Sequence, residues 1–115
     1  METTLVSDLL RGHTDTIILR ILLDGEAYGF ELYSKILART GERHEIKETT
    51  LYSSLKRLEA AGCVTSFWGD ETRGARRKYY RITEAGRAAF EKNAEDWKRT
   101  RKIMDALLKQ NRRIV

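Results

Sequence analysis

The sequence predicts a mainly α-helical domain with one small β-hairpin, an α+β class, and three observations carry that prediction. Apolar residues recur at helical spacing through three successive segments that end at Gly62. Between Val64 and Ile82 the pattern changes to two short β-branched and aromatic runs, separated by the turn-forming stretch Gly69-Asp70-Glu71-Thr72-Arg73-Gly74. Beyond Thr83 a charged helical pattern resumes, with Phe90, Trp97 and Met104 seven residues apart.

The totals set the limits within which these elements must work. At 115 residues the chain is expected to form one domain, residues 1–115, with a modest core. Charged residues make up 34% and apolar ones 41%, the balance of a soluble globular chain. No apolar run approaches the roughly 18 residues that a membrane span needs. The N-terminus shows no export signal, and a single cysteine, Cys63, excludes an internal disulfide, so a cytoplasmic location is expected. The net charge of +5 suits nucleic acid or an anionic surface, and its placement is more telling than its size. Between Gly69 and Arg81 stand five basic residues, Arg73, Arg76, Arg77, Lys78 and Arg81, against Asp70 and Glu71.

Taken in order, Leu5, Val6, Leu9 and Leu10 belong to a short lead-in. Thr14 or Asp15 is expected to cap a first helix running to about Asp24, apolar nearly all round and therefore central in the core. Asp24-Gly25-Glu26 ends it. Tyr28-Gly29-Phe30 opens a second helix with Phe30, Tyr33, Ile36 and Leu37 on one face, closed by Thr40-Gly41-Glu42. Ile46 forms a brief strand or anchors the following loop. In the third helix, from Glu48, residues Leu51, Leu55 and Leu58 face inward, and Gly62 stops it as a left-handed cap. The residues between the leucines are small, hydroxylated or cationic, with none of the usual Glu–Lys ladder, which suits entry into a DNA major groove. Val64–Trp68 and residues 76–82 make a hairpin whose second arm is basic. Thr83 caps a last helix from Glu84 to about Arg112.

Three helices followed by a basic hairpin is a winged helix-turn-helix, here residues 14–82 with the wing at about 64–82, followed by a C-terminal dimerisation helix at 83–112. The chain resembles the PadR family of bacterial transcriptional regulators. The resemblance rests on Tyr28-Gly29-Phe30-Glu31-Leu32, on Thr50-Leu51-Tyr52 with Leu55 and Arg57-Leu58-Glu59, and on Gly62. It continues through Gly74, Arg77-Lys78-Tyr79-Tyr80 and Ile82-Thr83-Glu84-Ala85-Gly86, in order and across essentially the whole chain. It implies a double-stranded DNA operator, pseudo-palindromic because two copies bind it, with the third helix as reader. Thr49, Thr50, Tyr52, Ser53 and Lys56 are the expected contacts of that helix. Arg73, Arg76, Arg77 and Lys78 of the wing are expected to neutralise phosphates. The family pattern has Arg57 pair instead with an acid such as Glu59 or Glu84. Tyr79 and Tyr80 point to opposite faces of the strand, so one is expected to pack on the core.

The short single C-terminal helix places the resemblance in the small, multidrug-sensing subgroup of that family. Phe90, Trp97, Met104, Leu107 and Leu108 form the expected homodimer interface. The subgroup resemblance implies that a planar aromatic effector stacks between Trp97 and its two-fold mate, with Ala94 and Arg101 beside it. Arg101 departs from the drug-binding pattern, which has an acid there. With Lys98, Arg99 and Lys102 nearby, the pocket mouth is expected to favour neutral or anionic aromatics. His13, His44 and Cys63 have neither metal-ligand spacing nor a nucleophile–base signature, so no enzyme, metal or cofactor is expected. The sequence therefore predicts a repressor released by an aromatic molecule. The alternatives are a DNA-binding regulator with no effector, and a basic dimeric adaptor for acidic proteins or membrane surfaces. Sequence discrimination on DNA separates the adaptor from both regulators.

Overall fold

The computed structural model describes residues 10, 12–70, 74 and 76–110. Four helices and a three-stranded antiparallel sheet follow one another as α1 (Thr14–Leu22), β1 (Ala27–Tyr28), α2 (Gly29–Arg39), α3 (Glu48–Ala60), β2 (Val64–Trp68), β3 (Lys78–Ile82) and α4 (Glu84–Leu108). The predicted fold class is the one observed. α1 is central as expected: Ile18, Leu19, Ile21 and Leu22 are buried against α2, α3, α4 and the sheet. Its cap differs from expectation. His13 occupies the N-cap without a side-chain bond, Thr14 is buried, and the Asp15 carboxylate is engaged by Arg57 on α3. The helix also ends two residues early, at Leu22.

In α2 the inward stripe is Gly29, Leu32 and Ile36, not one that includes Phe30. Phe30 is 65% exposed and stacks on Tyr33, with ring centroids 6.0 Å apart. The N-terminus is held by Glu31, whose carboxylate accepts from the Tyr28 amide at 3.1 Å. Ile46 forms no strand and packs on the core. α3 buries Leu51, Leu55 and Leu58 as expected, and also Ser54. Gly62 stops it at φ +79°, with the Cys63 amide donating to the Leu58 carbonyl at 2.9 Å. Cys63 packs against the edge of the core.

β1 was not foreseen, because two residues are too short to show an alternation. It pairs with β3 through Ala27↔Tyr80 and Tyr28↔Tyr79, giving the strand order β1-β3-β2. β2 and β3 pair from Val64↔Ile82 to Trp68↔Lys78. Arg76 and Arg77 lie before β3 rather than within it, and the Gly69 amide donating to the Arg77 carbonyl at 2.6 Å closes the strand pair there. Tyr80 is buried on the inner face with Val64 and Ile82, while Tyr79 faces outward. Outside, Tyr79 stacks on Phe67 and meets Tyr28 edge-on.

Thr83 caps α4 as predicted, its hydroxyl accepting from the Gly86 amide at 3.0 Å and donating to the Gly62 carbonyl at 2.7 Å. At 25 residues the helix is about 37 Å long. Its first turns pack on the core through Ala89 and Phe90, and the Asn93 amide donates to the Thr16 hydroxyl at 3.0 Å. From Trp97 onward the large apolar side chains are exposed. The helix ends at Leu108 rather than about Arg112: Lys109 is already extended and Gln110 is non-helical, while residues 111 and 112 lie outside the described residues.

Candidate nucleic-acid interface

The reader surface follows from which face of α3 the leucines take. With Leu51, Ser54, Leu55 and Leu58 turned inward, Thr49, Ser53 and Lys56 come to lie along the exposed line of the helix. Tyr52 flanks that line, partly exposed, and its hydroxyl end is seated against Gly29, where a Cβ would overlap it. Thr50 differs from the others in burial. It is half-buried on the opposite flank and, with Thr49, lines a groove between α1, α4 and the segment before α3.

Arg57 is a brace. Its Nε donates to Asp15 at 3.2 Å, and its Nη2 donates to Asp15 at 2.7 Å and to the Ser54 hydroxyl at 2.9 Å. The Asp15 hydrogen bonds, then its charge, raise the Arg57 pKa above the ordinary arginine value, so the clamp stays cationic. The predicted partners Glu59 and Glu84 are not used. Glu59 instead accepts from the Ser66 hydroxyl at 2.6 Å and ties α3 to β2. Sequence spacing could not have shown the Asp15 partner, which lies 42 positions away.

In the wing, Arg76, Arg77 and Lys78 are exposed at the turn end of the hairpin, and Arg73 lies outside the described residues. Arg76 Nε donates to the Gly69 carbonyl at 3.2 Å. The Arg77 guanidinium sits 4.7 Å from the Tyr28 ring centre, and Lys78 Nζ lies 5.9 Å from that of Tyr80. Burial, followed by the charge of Glu59, raises the Tyr80 pKa, so the phenol between reader and wing stays neutral. Tyr52 of α3 lines one hollow with Arg77 and Lys78 of the wing, so the hydroxyl-rich helix and the basic strand end adjoin. Among the described residues no cluster suitable for a metal ion is present.

The second predicted site is only partly assembled within one chain. Trp97 is 47% exposed and meets His13 edge-on, with ring centroids 5.2 Å apart. Trp97, Ala94 and Phe90 line the groove that also contains Thr50, about 980 Å³ in volume. Arg101 is exposed and does not line it. Sequence reading missed His44 in this groove, whose buried Nδ1 has no hydrogen-bond partner among the described residues. It became visible only once the segment before α3 was folded against α1.

A three-helix core, a two-stranded wing and a basic reader surface define a winged-helix DNA-binding protein. The sequence profile of the Transcriptional regulator PadR-like family matches residues 18–92. The chain belongs to this family. Among solved structures it is similar to a transcriptional regulator from Clostridium thermocellum, at 44% identity and a TM-score of 0.82, over 89% of this chain and 96% of that one. A PadR family transcription regulator from Clostridium difficile shares 35% identity at a TM-score of 0.72, over 84% of this chain and 98% of that one. An uncharacterized protein of Lysinibacillus sphaericus is 40% identical over 89% of this chain and 94% of its own length. The chain is therefore a transcriptional regulator and not an enzyme. Among the described residues no helix is long and apolar enough to cross a membrane.

Proposed function

We propose that the protein is a homodimeric, sequence-specific repressor that binds a pseudo-palindromic operator and releases it when a planar aromatic molecule enters the dimer interface around Trp97. The observation that carries the DNA half of this reading is the shared surface of Thr49, Tyr52, Ser53 and Lys56 with Arg76, Arg77 and Lys78. The dimer half rests on Trp97, Met104, Leu107 and Leu108, which lie exposed along one helix. The groove beside Trp97, largely apolar and holding an unpaired buried nitrogen, supports a small-molecule seat. Release follows if an effector binds one spacing of the two reader helices better than the other, since only differential affinity shifts such an equilibrium.

The test is binding to the DNA upstream of the protein's own gene, against a scrambled duplex of equal length, across a salt series. A preference of about a thousandfold or more with a steep salt slope is expected. Equal binding to both duplexes would sink the sequence-specific reading for that site. A regulator without an effector is favoured by one observation, the packing of His13 against Trp97, which gives the indole a structural role. Quenching of tryptophan emission by planar compounds separates the two readings.

A further inference from the structure

We propose that Trp68 is a DNA-contact residue whose indole packs on the deoxyribose edge of the strand passing between α3 and the wing, beside a phosphate held by Lys78. The proposal rests on the DNA-binding reading of this surface and adds a residue to it.

Side chains alternate along β2, so Val64, Ser66 and Trp68 share one face. That face looks toward the reader helix, because the Ser66 hydroxyl donates to Glu59 of α3. Across the sheet, Ser66 pairs with Tyr80, whose phenol feels the charge of Glu59 and lines one hollow with Tyr52. The next rung on this face is Trp68↔Lys78. Along it the core runs out: Val64 is buried, Ser66 half-buried and Trp68 57% exposed. An inward strand position that carries the largest apolar side chain and leaves most of it uncovered is a surface awaiting a partner.

The other face of the sheet behaves differently. There the Arg77 guanidinium covers Tyr28, Tyr28 meets Tyr79, Tyr79 stacks on Phe67, and Arg81 lies 4.7 Å above Phe67. Those rings satisfy one another. Among the described residues no ring and no cation packs on the face of the Trp68 indole. Its surroundings are Lys78 across the strand pair and Arg76, which bonds the adjacent Gly69 carbonyl, with Lys56 exposed on the facing helix. An apolar plate set among cations fits a ligand that alternates anionic groups with apolar patches, which describes a sugar–phosphate backbone. The backbone next to it is tied, because the Gly69 amide donates to the Arg77 carbonyl at 2.6 Å and Arg76 Nε donates to the Gly69 carbonyl at 3.2 Å.

An indole on deoxyribose displaces no counterion and reads no base. Trp68→Ala should therefore weaken upstream and scrambled duplexes alike, by about tenfold, with the salt slope unchanged. Lys78→Ala should instead lower the slope by about one. The experiment titrates parent, Trp68→Ala and Trp68→Phe with end-labelled duplexes by anisotropy, and follows tryptophan emission in parallel. The parent's emission should be quenched on DNA, and Trp68→Phe should bind while losing most of that quenching. Trp68→Ala binding within about twofold of the parent overturns the proposal, and so does Trp68→Phe that keeps the full quenching, which would assign it to Trp97. If Trp68→Ala does not fold, the emission of Trp68→Phe decides. A parent that binds neither duplex removes the DNA surface itself, a failure distinct from a binding parent whose Trp68 is silent. A shift on phosphatidylserine vesicles with silence on DNA assigns the ring to a membrane surface and overturns the proposal.

Discussion

Two glycines exclude side chains for different reasons, and substitutions there separate interface from stability. A methyl at Gly29 would overlap the Tyr52 hydroxyl, the far end of a movable side chain. A methyl at Gly86 would overlap the Cys63 carbonyl oxygen, backbone already bonded by the Thr83 amide at 3.0 Å. Gly29→Ala is therefore expected to swing Tyr52 out of its seat, lowering DNA affinity several-fold while the melting temperature moves by no more than a few degrees. Unchanged affinity would remove Tyr52 from the interface. Gly86→Ala must shift α4 or the turn before β2, at a cost of about 1–3 kcal/mol, read as a lower urea midpoint. Arg57 supplies a third case, a cation on the reader helix that does not serve phosphate. Because Asp15 and Ser54 occupy its guanidinium, Arg57→Gln should leave the salt slope of DNA binding unchanged, whereas Lys56→Ala lowers it by about one. A reduced slope for Arg57→Gln would place Arg57 on the DNA backbone.

At the scale of elements, legibility followed the length and regularity of the pattern. α3 could be read because Leu51, Leu55 and Leu58 repeat without interruption, and β2 because five β-branched, hydroxyl and aromatic residues stand between turns. α2 was read one step out of register: Phe30 is as apolar as Leu32, and only the approach of α1 and β3 decides which of them is covered. β1 has two residues and exists only because β3 offers an edge, so nothing local announces it. The groove beside Trp97 was equally hidden, being formed by segments dozens of residues apart. α4 after Asn93 gains little from the core and depends on its own side-chain pairs. Asp96 accepts from Lys92 at 3.1 Å and from Arg99 at 2.7 Å, and these bonds, that of Lys92 first, hold its carboxyl below the ordinary range. A carboxyl lowered in the folded state adds stability above its unfolded value and loses it as the pH falls through the folded one. The stability gap between parent and Asp96→Asn should accordingly be constant from neutral pH down to the ordinary carboxylate range, then shrink with further acidification. A gap that persists unchanged into strong acid would show that these pairs contribute nothing.

At the scale of the whole molecule, the long helix poses a problem that one chain does not solve. Its first turns are anchored by Ala89, Phe90 and Asn93, but Trp97, Ile103, Met104, Leu107 and Leu108 extend beyond the core with large apolar side chains uncovered. In the dimer we propose, a second copy of the same helix would cover them by the same contacts in both directions. That arrangement would give two reader helices, and half-sites one DNA turn apart, about 34–36 Å, would place both in the major groove on one side of the duplex. Dimerisation and operator preference are then linked, because the second half-site is bound at the effective concentration set by the first. Introducing a charge where the interface needs an apolar side chain tests both together. Met104→Lys with Leu107→Lys should sediment as a folded monomer and lose operator affinity by at least about a hundredfold, while affinity for scrambled DNA falls far less. Trp97→Ala should instead remain a dimer and lose only its response to planar aromatic compounds. If Trp97→Ala also sediments as a monomer, the indole is interface core and effector release must use another site. If the charged double variant remains a dimer, α4 is not the dimer interface, and its exposed apolar row awaits a different partner.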